Sequence, residues 1–323
     1  MMKVNLLDLE TDLWEQCNLR CSQCTHNSPF FNSFDEYYKL DQFKEDIDNL
    51  NRVAHINTFR IVGGEPLLNK NLLHYVKHIR ESNVTDYLTI FTNGLVLSHT
   101  NNDIFPYIDR LRISVYSNLE EKKLKLIDNN INKIKEMFPH LNIVANDISY
   151  FSYFNLAEKN TNQELVDKIY DKCYYSYEHR GFSIFKGRFY KCFATRKKYN
   201  FLKQHSKENN FEHLKDNFQD SIILKNIEKN DLENFINNKQ SLEGCKWCLG
   251  TCGSQLKHSQ IKPENEIPAT LDNLNFEEGE KYMSNLLLSW SLKDRKLGII
   301  DNNKFFNIKH LKDYLKQFKS KPL

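Results

Sequence analysis

Along the first 150 residues the apolar positions alternate between two spacings. Residues 5–13 alternate loosely and predict a first strand. Residues 36–53 (EYYKLDQFKEDIDNLNRV) set Tyr37, Leu40, Phe43, Ile47 and Leu50 at helical spacing. A strand over 57–62 ends in Gly63-Gly64, and a helix follows around 70–82. A strand over 86–91 closes on Thr92-Asn93-Gly94, and another covers 110–116. Residues 119–137 form a lysine-rich amphipathic helix, and 141–146 a further strand. Strands alternating with helices require right-handed crossovers and a parallel sheet, which binds ligands at the carboxyl ends of its strands. The cysteine-bearing loop after the first strand, the GGEP run and the TNG run all fall at such ends, so they should share one rim.

After about residue 170 the rhythm changes. Residues 182–192 (FSIFKGRFYKC) predict a β-hairpin with Lys186-Gly187 at its turn. A polar helical stretch is expected over 206–238, and two more helices around 275–294 and 304–319. In the last of these Phe305, Ile308, Leu311, Leu315 and Phe318 share one face, as in a helix packed against the body.

Composition narrows the function classes. With 323 residues and 40% hydrophobic content, the chain can build one large domain and a small one. A net charge of +3 argues against a dedicated nucleic-acid binder. Acids interrupt the N-terminal apolar stretch, and no apolar run approaches the roughly 20 residues of a spanning helix. A cytoplasmic protein without a membrane partner is expected. Six of the eight cysteines fall into two tight clusters, a pattern that favours metal binding over disulfides in such a chain.

The first cluster, Cys17-Asn-Leu-Arg-Cys21-Ser-Gln-Cys24, supplies three thiolates from one short loop. That suits three irons of a cubane and leaves the fourth open for another ligand. A zinc site is the alternative, with His26 as the fourth ligand. CNLRCSQC resembles the CxxxCxxC signature of the radical S-adenosylmethionine (SAM) superfamily. Gln23 departs from the aromatic residue that often precedes the third cysteine there. Gly63-Gly64-Glu65-Pro66, about 40 residues downstream, is similar to the family's GGEP motif.

The resemblance implies an α/β fold, a partial (β/α)6 TIM-type barrel. It implies a 4Fe–4S cluster on Cys17, Cys21 and Cys24 and SAM held through its amino group by Gly63, Gly64 and Glu65, with Pro66 completing the motif. Thr92, Asn93, Ser114, Ser117 and Asn146 would line the SAM pocket. The implied chemistry is reductive cleavage of SAM to a 5′-deoxyadenosyl radical that abstracts hydrogen from a substrate, with a flavodoxin or ferredoxin as reductant.

The run Cys173-x13-Gly187-x4-Cys192 resembles the opening of twitch and SPASM domains. The likeness implies an auxiliary 4Fe–4S cluster on Cys173, Cys192, Cys245 and Cys248. A SPASM domain with two auxiliary clusters needs more than the five cysteines present, which favours the twitch type. Cys252 is left as a hydrogen donor to a substrate radical, a cluster ligand or a small buried hydrophobe. The expected organisation is a radical SAM core over 1–170, an auxiliary-cluster domain (β-hairpin plus helix) over 171–258 and a helical extension over 259–323. The substrate expected is a sugar-like or aminocyclitol small molecule undergoing oxidation or epimerisation. Peptide modification is the alternative, and a zinc-binding scaffold the alternative of another class.

Overall fold

The computed structural model describes residues 3–31, 37–116, 118–177, 181–215, 218–282 and 284. Strand β1 (Val4–Asp12) begins half-exposed and is fully buried from Asp8 onward. It is followed by α1 (Leu40–Val53), β2 (Ala54–Val62), α2 (Leu72–Ser82), β3 (Thr85–Thr92), β4 (Arg110–Val115), α3 (Glu121–Met137) and β5 (Asn142–Asp147). These five strands pair in parallel, as the alternation requires.

Two faces result from the period of two. On one, Leu9, Phe59, Leu88, Ile61, Ile90 and Leu111 meet the apolar stripes of α1, α2 and α3, forming the main core. On the other, register sets Ser183, Glu10, Arg60, Thr89, Arg110 and Asn142 side by side. A largely buried polar row thus crosses the sheet, near the carboxyl ends of β1 and β2 and at the amino ends of β4 and β5.

Beyond β5 come β6 (Tyr150–Ser152), α4 (Gln163–Lys172) and α5 (Tyr174–Tyr177). The expected hairpin forms as β7 (Ser183–Phe185) and β8 (Arg188–Tyr190). Lys186 and Gly187 both take positive φ, 44° and 83°, which matches the strand twist of a two-residue hairpin turn. The hairpin extends the core sheet: β7 pairs in parallel with β1 through Glu10↔Ser183 and Thr11↔Ile184. With β9 (Ser221–Ile223) the sheet runs β5-β4-β3-β2-β1-β7-β8-β9. Among the described residues its two edge strands do not pair, so this α/β sheet is open and compatible with a partial barrel. Strand β6 instead pairs antiparallel with β10 (Gln255–Lys257).

The helices α6 (Phe193–Arg196), α7 (Lys198–His205) and α8 (Lys229–Asn237) complete the elements. The helix expected over 206–238 is a correction: only α8 forms there as α-helix, and Ser221–Ile223 is a strand. Side chains in this stretch compete with backbone bonds, as where the Ser206 hydroxyl accepts from Glu208 N–H. Residues 276–282 are helical; the rest of the helix expected over 275–294, bar Ser284, and all of that over 304–319 lie outside the described residues. The described residues up to Tyr282 belong to one compact unit.

Candidate iron–sulfur and SAM site

The loop that follows β1 carries Cys17, Cys21 and Cys24, and the turn after β2 holds its entry. Gly64 N–H donates to Trp14 O at 2.9 Å and Glu65 N–H to Gln16 O at 2.8 Å. A side chain at either glycine would collide. A Cβ at Gly63, whose φ is +122°, would lie 2.4 Å from Trp14 O, and one at Gly64 2.0 Å from Gln16 O.

Glu65 is fully buried and accepts three hydrogen bonds. Its donors are Leu67 N–H (3.1 Å), Thr92 Oγ1 (2.8 Å) and Asn93 N–H (2.8 Å). Burial pushes its pKa up to about 7 against the pull of those donors. Asn93 in turn donates to Asn18 Oδ1 at 2.6 Å and approaches Cys17 Sγ at 3.7 Å. The GGE turn, the end of β3 and the cysteine loop are therefore one bonded assembly. Pro66 opens a short 3-10 turn capped by Glu65. Ser114 and Asn146 are register partners at the carboxyl ends of β4 and β5. Ser117 lies outside the described residues.

All three thiols are pushed up in pKa. For Cys17 burial comes first and carries it to about 12, with the charges of Glu65 and Cys24 adding to it. Burial likewise raises Cys21 and Cys24. Such thiols stay protonated unless a bound metal compensates the thiolate charge. Cys17 Sγ accepts from Leu19 N–H at 3.4 Å, and Cys21 Sγ from Gln260 Nε2 at 3.3 Å. None of the eight cysteines is in a disulfide.

A segment to which the sequence reading assigned no role brackets this loop. Ser22 N–H donates to Ser259 O, Ile261 N–H to Arg20 O, and Arg20 N–H to Gln260 Oε1 at 2.6 Å. The buried Glu266 carboxylate accepts from Ser22 Oγ (2.8 Å) and Gln23 Nε2 (2.9 Å). Gln23 holds the left-handed φ of 55°, and its Oε1 accepts from Phe154 N–H at 3.0 Å. Its departure from an aromatic residue therefore has a structural use: the amide ties the loop to residues 154 and 266.

The second group gathers at helix and turn ends. Cys173 follows α4, Cys192 precedes α6, and Cys245 and Cys248 flank Trp247. Burial raises the pKa of Cys173, Cys192 and Cys245, and the charges of neighbouring thiols in the group add to it. Cys248 Sγ accepts from Gly250 N–H at 3.2 Å. Cys252 lies beside Cys173 and Cys248 but packs among Leu156, Ile169, Leu249 and Ala269. Its thiol reaches Ile169 O at 3.8 Å.

The two groups are joined by a buried ionic network that the sequence reading missed. Lys197 Nζ lies 2.8 Å from Asp12 Oδ1, 3.2 Å from Glu15 Oε2 and 2.9 Å from His26 Nδ1. Arg196 pairs with Glu15 Oε1 at 2.7 Å and also with Asp12. Although burial alone would raise it, the Lys197 and Arg196 cations hold the Asp12 carboxyl well below the usual range. His26 stacks on Phe193, one residue past Cys192, with ring centroids 4.9 Å apart. Glu10, Asp12 and His26 could converge on a metal ion, but the Lys197 ammonium already sits against two of them. The only sequence signal for the network was the run Arg196-Lys197-Lys198 in a buried stretch.

Residues 13–144 match the family model described as the Radical SAM superfamily. GTP 3',8-cyclase of Limosilactobacillus fermentum is 34% identical over 104 residues, 31% of this chain and 31% of that protein. GTP 3',8-cyclase of Campylobacter jejuni subsp. doylei is 33% identical over 133 residues, 39% of this chain and 38% of that one. The chain thus matches about a third of the length of these curated relatives (31% and 38%). Among solved structures, BtrN in complex with AdoMet and 2-DOIA aligns with 82% of this chain and 98% of its own, at 16% identity and a TM-score of 0.43. Native anSMEcpe with bound AdoMet aligns with 88% and 98%, at 12% identity and a TM-score of 0.38.

Proposed function

We propose, from the match of residues 13–144 to the Radical SAM superfamily, that the chain is a SAM-cleaving iron–sulfur enzyme acting on a small hydroxylated substrate. Bound to Cys17, Cys21 and Cys24, a 4Fe–4S cluster would supply the electron that cleaves SAM to a 5′-deoxyadenosyl radical. The observation that carries this reading is the loop itself: three buried or half-buried thiols, two of them accepting N–H bonds, bonded through Asn93 and Asn18 to the Gly63-Gly64-Glu65 turn.

The chain's own residues have separable tasks in this reading. Gly63 and Gly64 let the turn approach the loop, and Glu65 holds Thr92 and Asn93 at the rim where SAM would sit. Ser114 and Asn146 extend the same rim. Cys173, Cys192, Cys245 and Cys248 would hold an auxiliary 4Fe–4S cluster, the core of an auxiliary region over 171–258. The Asp12–Lys197 network would fix the distance between the two clusters. Cys252 can quench a substrate radical only if its apolar surroundings open, because its thiol is closed in by Ile169 and Leu249.

A polar substrate is supported by Glu10 and Arg60, paired near the carboxyl ends of β1 and β2. Glu10 is buried and its Oε1 has no hydrogen-bond partner among the described residues. A substrate hydroxyl or amine would supply one. The reaction proposed is oxidation or epimerisation of a sugar-like molecule or aminocyclitol, with a flavodoxin or ferredoxin delivering electrons.

The test is anaerobic reconstitution with iron and sulfide. The parent should be brown, carry about eight irons per chain as two cubanes, and form 5′-deoxyadenosine from SAM under reduction. Replacing Cys17, Cys21 and Cys24 together with Ala should halve the iron and abolish 5′-deoxyadenosine. A colourless zinc protein, or a triple variant that still cleaves SAM, would overturn the proposal.

A further inference from the structure

Gln260 lies far along the chain from the first cysteine loop, yet its side chain ends on a cysteine of that loop. Hydrogen-bond bookkeeping fixes which way its amide points. Arg20 N–H can only donate, and it reaches Gln260 Oε1 at 2.6 Å. The NH2 end therefore faces Cys21 Sγ at 3.3 Å and His258 Nε2 at 3.4 Å. The next link is fixed in the same way. Asn118 Nδ2 donates to His258 O at 3.0 Å, which leaves Asn118 Oδ1 as an acceptor 2.7 Å from His258 Nδ1. His258 must then carry its proton on Nδ1 and present the Nε2 lone pair to Gln260.

The ring is held in that orientation. It stacks on Tyr116 with centroids 4.3 Å apart and an interplanar angle of 16°, and meets Phe151 edge-on at 5.0 Å. His258 is 3% exposed, and burial pushes its pKa down to about 4, in keeping with the neutral tautomer the bonding requires. Backbone pairing of Arg20 and Ser22 with Ile261 and Ser259 keeps the two segments in register.

We propose that Gln260, oriented by His258 and Asn118, is a tuning residue for the metal group held by Cys21. It donates one amide hydrogen to the Cys21 sulfur and so makes that group easier to reduce. Hydrogen bonds to cluster sulfurs withdraw charge and favour the more negative, reduced state. The second amide hydrogen, spent on His258, keeps the first from rotating away. This inference rests on the proposed 4Fe–4S cluster at Cys17, Cys21 and Cys24. It goes beyond that proposal by assigning its redox poise to a side chain outside the superfamily motifs.

The experiment is a redox titration of the reconstituted, full-length protein followed by electron paramagnetic resonance. The signal that changes on adding SAM marks the cluster with the open iron. Gln260→Leu removes the donor and should move that signal's midpoint to a lower potential with iron content unchanged. His258→Phe keeps the stack on Tyr116 but frees the Gln260 amide, and should move it in the same direction by less. An unchanged midpoint in fully loaded Gln260→Leu overturns the inference. If Gln260→Leu loses iron, His258→Phe decides, and an unmoved midpoint there is likewise fatal. A parent protein with no SAM-responsive signal sinks the proposed function as well, whereas a responsive signal with an unmoved midpoint sinks the tuning role alone.

Discussion

Lys197 is the residue whose loss should be felt most in stability. Its ammonium is completely buried against two buried carboxylates, 2.8 Å from Asp12 and 3.2 Å from Glu15. Arg196 is the other cation against the pair, so the four groups balance at two charges of each sign. Lys197→Met keeps most of the volume and leaves two carboxylates facing one guanidinium. Breaking a buried pair from one side costs about 3–5 kcal/mol. At about 2–4 °C per kcal/mol for a unit of this size, the melting temperature should fall by roughly 10 °C. Differential scanning calorimetry of the metal-free chain measures it. Asp12→Asn in the same background should recover part of the loss, because the two changes share one network. A drop of less than about 1 kcal/mol in Lys197→Met, or simple additivity in the double variant, would show that the network contributes little.

Other outcomes follow from the same geometry. Glu65 takes up a proton on folding, since its folded pKa of about 7 exceeds the usual 4.5; stability should therefore fall as pH rises from about 4.5 to 7, by about 3 kcal/mol in all. Glu65→Gln should flatten that slope in urea titrations at pH 5 and pH 8, and an unchanged slope would assign the proton elsewhere. Cys252→Ala should retain all iron by colorimetric assay, because Cys252 packs with Leu156, Ile169, Leu249 and Ala269; loss of about four irons would make it a ligand. With solvent deuterium, a stalled radical in this variant would identify it as the hydrogen donor, and normal turnover would not. Glu10→Gln should raise KM for a hydroxylated substrate about 10- to 100-fold, the worth of one charged hydrogen bond, and leave SAM cleavage without substrate unchanged; an unaltered KM would remove Glu10 from the substrate's contacts.

What could be read from the sequence was local. The strands of the parallel sheet and the Lys186–Gly187 hairpin follow from side-chain period and turn chemistry, and their bounds moved by a few residues at most. The cysteine loop and the Gly63-Gly64-Glu65 turn were legible because each is a contiguous run with few physical uses. Of the helix expected over 206–238 only Lys229–Asn237 forms, where Glu228 and Asp231 make a capping box at its start. The Asp12–Arg196 pair spans 184 residues and the Gln23–Glu266 bond 243. Nothing in either local run distinguishes such residues from solvated charges. Gln260 was invisible for the same reason: a glutamine gains its role only from what the fold sets opposite it.

The placement of β7 has a consequence for how this chain can be divided. Without the hairpin, β1 would be the outermost strand of its sheet, with a row of unsatisfied N–H and C=O groups beside the loop of Cys17, Cys21 and Cys24. Such a margin invites pairing with a second copy. A fragment that stopped near residue 170 would retain the complete motif set of the first loop and still expose this adhesive border. The segment bearing Cys192 is thus also the lateral seal of the strand that launches the first cysteines.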